Sequence, residues 1–293
     1  MLKKISLAVL IFLLFFSKVF AGDWKLSHKE ADGLDLQAAQ GRVAKNPQSV
    51  EAQYVLGLVY LNAHKDDDAY RIFTNLIANN LQMSEARWGQ AESLRRKHQI
   101  SQAQRLLENV IREDPQFSPA LISLAYIKYF QMDFLNAAHL AAQVIRLGQD
   151  KSDLSNFVRA YALYAGAKGM LAHYGGIFSK AIDGLAVKAN LDKAYRLQPR
   201  SPAVLFGLGS YYLLAPGIVG GNKARAGEYL QEALKVDPNF ADVYVRLAQL
   251  AKGQGNFGRY QQYLTKALEL DPGSELALDT QSGRCKYICS AGE

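Results

Sequence analysis

"YVLGLVYLNAHKDDDAYRIFTNLIA" runs from Tyr54 to Ala78. Its opening part, Tyr54 to Ala63, is apolar at helical spacing and holds one small residue, Gly57. From Asp66 to Ala78 a second, amphipathic segment follows, beginning with Asp66, Asp67 and Asp68. Two short helices joined by a tight turn account for the stretch. Carboxylates at the start of a helix complement its dipole, so the three aspartates read as a cap rather than a cation site.

Outward from this hairpin the pattern recurs. Ala69, Ala103 and Ala137 are each 34 residues apart, and so are Gly57, Ala91 and Ala125. The same interval of 34 separates Leu230 from Leu264, Ala233 from Ala267 and Pro238 from Pro272. A fixed period of this length is the signature of stacked supersecondary units. Small residues stand where two helices must approach closely, and larger ones such as Tyr60, Phe73, Leu107 and Leu264 fill the space beside them. Proline at the end of a period, as in "EDP", "VDP" and "LDP", stops one helix and turns the chain into the next.

Residues 50–83 carry Leu56, Gly57, Tyr60, Ala69 and Phe73, and residues 84–117 carry Ala91, Ala103, Leu107 and Pro115. Residues 241–274 carry Tyr244, Leu247, Ala248, Leu264, Ala267 and Pro272, with "GNF" at the inter-helix turn. Residues 118–151 keep Ala125 and Ala137 and lack the proline. This register resembles the tetratricopeptide repeat, a helix–turn–helix unit. The resemblance implies an all-α fold, a right-handed superhelical solenoid. About six repeats would fill residues 50–274, two of them elongated. The first elongated unit holds "FVRAYALYAGAKGMLAHY", Gly175-Gly176 and a second long helix ending near Leu197. The other runs from Pro202 to Pro238, its two helices split by "APGIVGGNKARA". Before the repeats, residues 22–49 form a capping segment with a lone helix in "DLQAAQGRVAKN". Residues 275–293 form a tail holding Cys285 and Cys289, as a small disulfide loop or as free thiols in a flexible segment.

"APGIVGGNKARA", Ala215 to Ala226, invites comparison with a phosphate-binding loop. Counted from Gly217, such a loop needs glycine at 222 and a hydroxyl at 224, where this chain has Asn222 and Ala224. A helix rather than a buried strand precedes it. Helix stop, glycine turn and Asn222 cap therefore describe it better. The same loop resembles an extended turn of exported bacterial repeat proteins, among them accessory T-components of tripartite periplasmic transporters. An alternative function follows from that resemblance: a ligand-binding accessory of a periplasmic transport system, with a pocket near Tyr161, Tyr164 and Phe206.

Residues 1–21 have the pattern of a secretory signal peptide: Lys3 and Lys4, an apolar run from Ile5 to Phe16, and small or apolar Val19 and Ala21 before a cut. The run is shorter than the roughly 20 residues of a membrane-spanning helix, and no second span follows. The mature chain is expected to be exported, periplasmic rather than secreted, with no stable membrane span. Losing Lys3, Lys4 and Lys18 lowers the formal charge from +7 to +4, with no dense basic run, so nucleic acid is not an expected partner. Histidines and carboxylates are scattered without metal-ligand spacing. No nucleophile, base and orienting acid occur as a set, so neither enzyme nor cofactor is expected.

In a stack of such hairpins the first helix of each pair lines the concave side. On that register Tyr54, then Trp88, Glu92, Arg95 and Arg96, then Tyr126, Tyr129, Tyr161, Tyr164 and Phe206 face a groove. Rings with few rotors suit capture of a peptide or protein segment. The expected function is thus a protein-interaction scaffold or adaptor. Neither the partner's identity nor an oligomeric state follows from the sequence.

Overall fold

A computed structural model describes residues 23–79 and 83–290; the expected signal peptide lies outside them. Among the described residues there are fifteen α-helices and no strand. They divide into two compact units between Arg96 and Lys97.

The first unit holds α1 (Trp24–Gly33), α2 (Leu36–Lys45), α3 (Val50–Asn62), α4 (Asp66–Asn79) and α5 (Ser84–Arg96). Ser49 caps α3 by accepting from the Ala52 amide, and Asp66, Asp67 and Asp68 occupy the first turn of α4. The two helices of the hairpin differ in burial. In α3 most side chains are buried, from Ala52 and Tyr54 to Leu61, whereas α4 buries Ala69, Phe73 and Leu76 along one stripe. A first helix is enclosed by neighbours; a second helix keeps a wet face. Phe73 explains the small residues opposite it. A β-carbon added at Gly57 would lie 2.7 Å from the Phe73 ring, and one at Gly89 would lie 2.5 Å away. Glycine at both places lets the ring fill the gap between α3, α4 and α5.

In residues 22–49 the lone helix expected from sequence is replaced by two. The part of "GDWKLSHKEADG" from Trp24 forms α1 because Asp23 caps it by accepting from the Lys25 amide. Short length and mixed polarity hid it. Both α1 and α2 pack on α3.

The second unit holds α6 (Ile100–Glu113), α7 (Ser118–Phe130), α8 (Phe134–Leu147), α9 (Leu154–Tyr174), α10 (Ile177–Leu197), α11 (Pro202–Leu214), α12 (Lys223–Val236), α13 (Ala241–Gly253), α14 (Phe257–Leu270) and α15 (Glu275–Ser282). The residues marking the period, Ala103, Ala137, Ala233 and Ala267, are all fully buried. The elongated hairpin is α9 and α10, each of 21 residues. Between α11 and α12 the glycine loop makes one short 3-10 turn, Gly217–Val219, and Asn222 caps α12 through the Arg225 amide. Gly221 has no substitute there: a β-carbon would stand 1.8 Å from the Ala215 carbonyl oxygen. The tail begins as helix α15 and closes with a disulfide between Cys285 and Cys289, Cα atoms 5.3 Å apart. The flexible-segment alternative does not hold for residues 275–290, because Tyr287 is buried against the repeats.

Candidate functional site

In the first unit, Tyr54 of α3 and Trp88 of α5 are both buried. The cover is α1. His28 Nε2 lies 3.0 Å from the Tyr54 hydroxyl, and its ring centroid lies 5.1 Å from that of Trp88. Trp24 packs edge-on against His28, and Asn62 Nδ2 donates to the Ala31 carbonyl. Tyr54 also meets Phe73 edge-on at 5.9 Å, so its ring is part of the hairpin core. Glu92 and Arg95 form a two-bond pair along α5, at 2.7 and 2.8 Å. Arg96 turns away from them. Its guanidinium meets Asp66 at 2.9 Å and donates to the Leu61 carbonyl at 2.8 Å, clamping the α3–α4 turn. Burial holds the Asp66 carboxyl above the usual carboxylate range. Arg95 and Arg96, both expected on the groove, are thus each paired with a carboxylate of their own unit.

The second unit gathers a tighter group. On α7, Tyr126, Tyr129 and Phe130 are half-buried, and Tyr129 meets Phe130 and Phe134 edge-on at 5.6 and 5.3 Å. Burial pushes the Tyr129 phenol up to about 12. Tyr287 of the tail stacks on Tyr129, with centroids 6.1 Å apart, and meets Phe130 edge-on at 5.5 Å. Its hydroxyl donates to the Phe130 carbonyl at 2.7 Å. The Tyr287 amide donates to Asp279 Oδ2 at 3.1 Å. From α13, the buried Arg246 reaches two successive tail carbonyls. Nη2 donates to Tyr287 O at 3.2 Å and Nη1 to Ile288 O at 2.7 Å. Gln249 Oε1 steadies the same Nη1 at 2.7 Å. Burial lowers the Arg246 pKa, a cost offset in part by the fork of hydrogen bonds. What the arrangement holds is an aromatic side chain and the backbone of the tail rather than a charged group. Among the described residues no three histidine, cysteine or acidic side chains are placed to hold a metal ion.

The remaining expected residues stand elsewhere in this unit. Tyr161 is buried, with Lys193 Nζ 4.8 Å from its ring centroid. Half-buried Tyr164 has Lys168 Nζ 5.6 Å above its ring, and Phe206 packs on Phe240 at 5.2 Å. The glycine loop fastens to α11 itself, through the Tyr211 hydroxyl on the Val219 carbonyl and the Asn222 amide on the Tyr212 carbonyl. Its Ile218 points outward, almost fully exposed. A shallow hollow of about 260 Å³ is lined by Pro115, Gln143, Arg146 and Leu147, none of which belongs to the pocket expected around Tyr161.

Several residues central to these faces escaped the sequence. Arg246 left a signal, a lone arginine inside the apolar run "VYVRLAQLA". Tyr287 left a weaker one, an aromatic between two cysteines in "CKYIC". His28, in a segment without clear periodicity, left none.

With helices, hairpins and period in view, the comparison with known proteins is direct. A family model described as tetratricopeptide repeat matches residues 241–274, the span of α13 and α14. Residues 241–274 are a tetratricopeptide repeat, and the other hairpins share its helix–turn–helix build. No curated protein matches it. Among solved structures, the chain is similar to a tetratricopeptide repeat protein from Parabacteroides merdae. The two are 14% identical, 88% of this chain and 98% of that one are covered, and the TM-score is 0.52. It is also similar to a chain of the APC/C hetero-tetramer Cut9–Hcn1, at 19% identity and TM-score 0.56, covering 87% of this chain and 46% of that one. At these identities the likeness concerns the fold. No helix among the described residues is long and apolar enough to cross a membrane.

Proposed function

We propose that this tetratricopeptide-repeat protein is an exported, non-enzymatic scaffold that binds a segment of another protein on the aromatic face of α7, α8 and α13. One observation carries the reading: that face already holds a stretch of polypeptide, its own residues 284–290, by ring stacking and by a guanidinium fork on two backbone carbonyls. A surface that secures one peptide through its main chain has the chemistry to secure another. The repeat fold supports protein partners generally, and a rigid stack holds its rings in place before binding, so little ordering entropy is lost. Export is supported by the signal-like residues 1–21 and by the disulfide, which persists in oxidising compartments.

The test is site-specific photocrosslinking in cells. A benzoylphenylalanine at Tyr126, on the ring face, is expected to yield a discrete adduct with a second protein, while one at exposed Glu108 on α6 yields none. Equal labelling from both positions, or none from Tyr126, overturns the proposal. For export, the mass of the isolated protein is expected to correspond to a chain beginning at Gly22.

A further inference from the structure

We propose that residues 284–290 are a built-in competitor for this face, locked by the Cys285–Cys289 bond, and that a dithiol donor unlocks it for an external peptide bearing an aromatic residue. The inference rests on the reading above and names the regulation of the same site.

Four observations converge on it. Tyr287 is the one buried side chain of the segment, while Arg284 and Lys286 beside it are exposed, so the segment inserts a single anchor as a bound peptide does. The grip of Arg246 is on carbonyl oxygens at 287 and 288, which any sequence supplies. The segment also leaves the site partly unsatisfied: Arg246 Nε and Asp279 Oδ1, both on buried residues, have no hydrogen-bond partner. Finally, the loop backbone is held against its preference. Cys285 and Ile288 adopt positive φ, 53° and 59°, a region that costs a β-branched residue dearly and persists only where surroundings enforce it. The disulfide joining residues four apart is the covalent enforcement, and both its cysteines are only half-buried.

The chemistry of release balances as thiol–disulfide exchange. A thiolate of the donor attacks one sulfur of the Cys285–Cys289 bond, which breaks to give a mixed disulfide and one cysteine thiolate. The donor's second thiolate displaces the other cysteine. The donor leaves oxidised to its disulfide, two electrons pass to the pair, and both cysteines take up protons from water. The freed backbone then leaves positive φ, and Tyr287 withdraws from Tyr129 and Phe130. An incoming aromatic takes the place of the Tyr287 ring, and its carbonyls take the Arg246 fork.

The probe is a fluorescein-labelled synthetic peptide, GRCKYICS, corresponding to residues 283–290 with its own disulfide closed, titrated into the full chain and read by anisotropy. Since a site mostly occupied in cis lowers apparent affinity by its free fraction, the probe is expected to bind Tyr287→Ala at least about tenfold tighter than wild type. It should also bind the double variant Cys285→Ser, Cys289→Ser more tightly than wild type. A peptide with alanine in place of its tyrosine is expected not to bind. Equal affinity for wild type and both variants, with helical circular dichroism unchanged, overturns the proposal. Should Tyr287→Ala fail to fold, the double serine variant decides alone, and affinity no higher than wild type there is the overturning result. If the probe fails to discriminate while Tyr126 still crosslinks a partner, the lock is wrong and the scaffold reading stands. If neither occurs, both fall.

Discussion

The two units cover their rings by different means. In the first, α1 lies over Tyr54 and Trp88 and is held mostly through side chains, by the His28–Tyr54 hydrogen bond and a set of ring contacts, with one backbone contact, Asn62 on the Ala31 carbonyl. In the second, a disulfide-closed loop lies over Tyr129 and Phe130 and is held largely through its main chain, by Arg246 and Asp279. A cover that depends on the shapes of particular side chains behaves as core. A cover that offers its carbonyls behaves as a ligand, since another chain can offer the same groups. On the proposed function, the recognition chemistry belongs to the second unit and a structural role to the first.

The contrast can be broken where the core account is strongest. Phe73→Ala empties the space between Gly57 and Gly89 and is expected to cost the first unit about 3–5 kcal/mol in urea unfolding. A loss under about 1 kcal/mol would mean that the hairpin is not packed as described. Next is Arg246→Met, which keeps a long apolar stem while stranding the carbonyls of Tyr287 and Ile288. We expect about 2–3 kcal/mol of destabilisation in the second unit, and limited proteolysis within 284–290 well before the helices are cut. Tyr54→Phe keeps the ring and removes the bond to His28, so about 1 kcal/mol is expected, with α1 still protected from protease. Release of α1 by that variant alone would turn the first unit's cover into a detachable one as well.

The smallest effect is electrostatic. His98 Nε2 meets Asp271 at 2.7 Å and its Nδ1 meets Glu275 at 3.5 Å, and these bonds raise its pKa from 6.5 to about 10. A histidine held charged in the fold stabilises fully below pH 6.5, and that contribution fades as pH rises through about 10. His98→Gln is therefore expected to lower stability by about 1 kcal/mol at pH 6, a modest figure because the pair is partly exposed. The difference from wild type should shrink steadily toward pH 10. Nearby Asp242 works in a separate window. Burial pushes its carboxyl up from 3.8 to about 6, so the native state loses stability between those values and little changes above them. Thermal melts of the two chains at pH 6, 8 and 10 check the sign.

How much of this could be read beforehand depends on range. The hairpins were legible because their information is local and repeated: Gly57 against Phe73, alanines every 34 residues, Asn222 at a cap. The two long helices α9 and α10 and the loop after α11 depart from the period and were legible from local signals alone, the long apolar run, Gly175-Gly176 and the glycine turn. The covers were not. Nothing near Tyr287 in sequence says that it will meet Phe130, 157 residues away, and a periodic pattern assigns Tyr54 to a face without saying what lies on that face. The contacts of the two arginines on α5 were hidden in a related way. Helical spacing sets Arg95 and Arg96 side by side on α5, yet one pairs with Glu92 within the helix and the other reaches back to Asp66.

Amide hydrogen exchange on the intact chain, with and without a dithiol, tests the central claim most directly. The Tyr287 amide, which donates to Asp279, should be protected in the oxidised protein. On reduction that protection is expected to fall by at least about tenfold across 285–289 while α13 and α14 keep theirs. Unchanged protection of this segment after complete reduction, or loss spread equally through α13, would show that the loop is ordinary core and that the second unit has no exchangeable occupant.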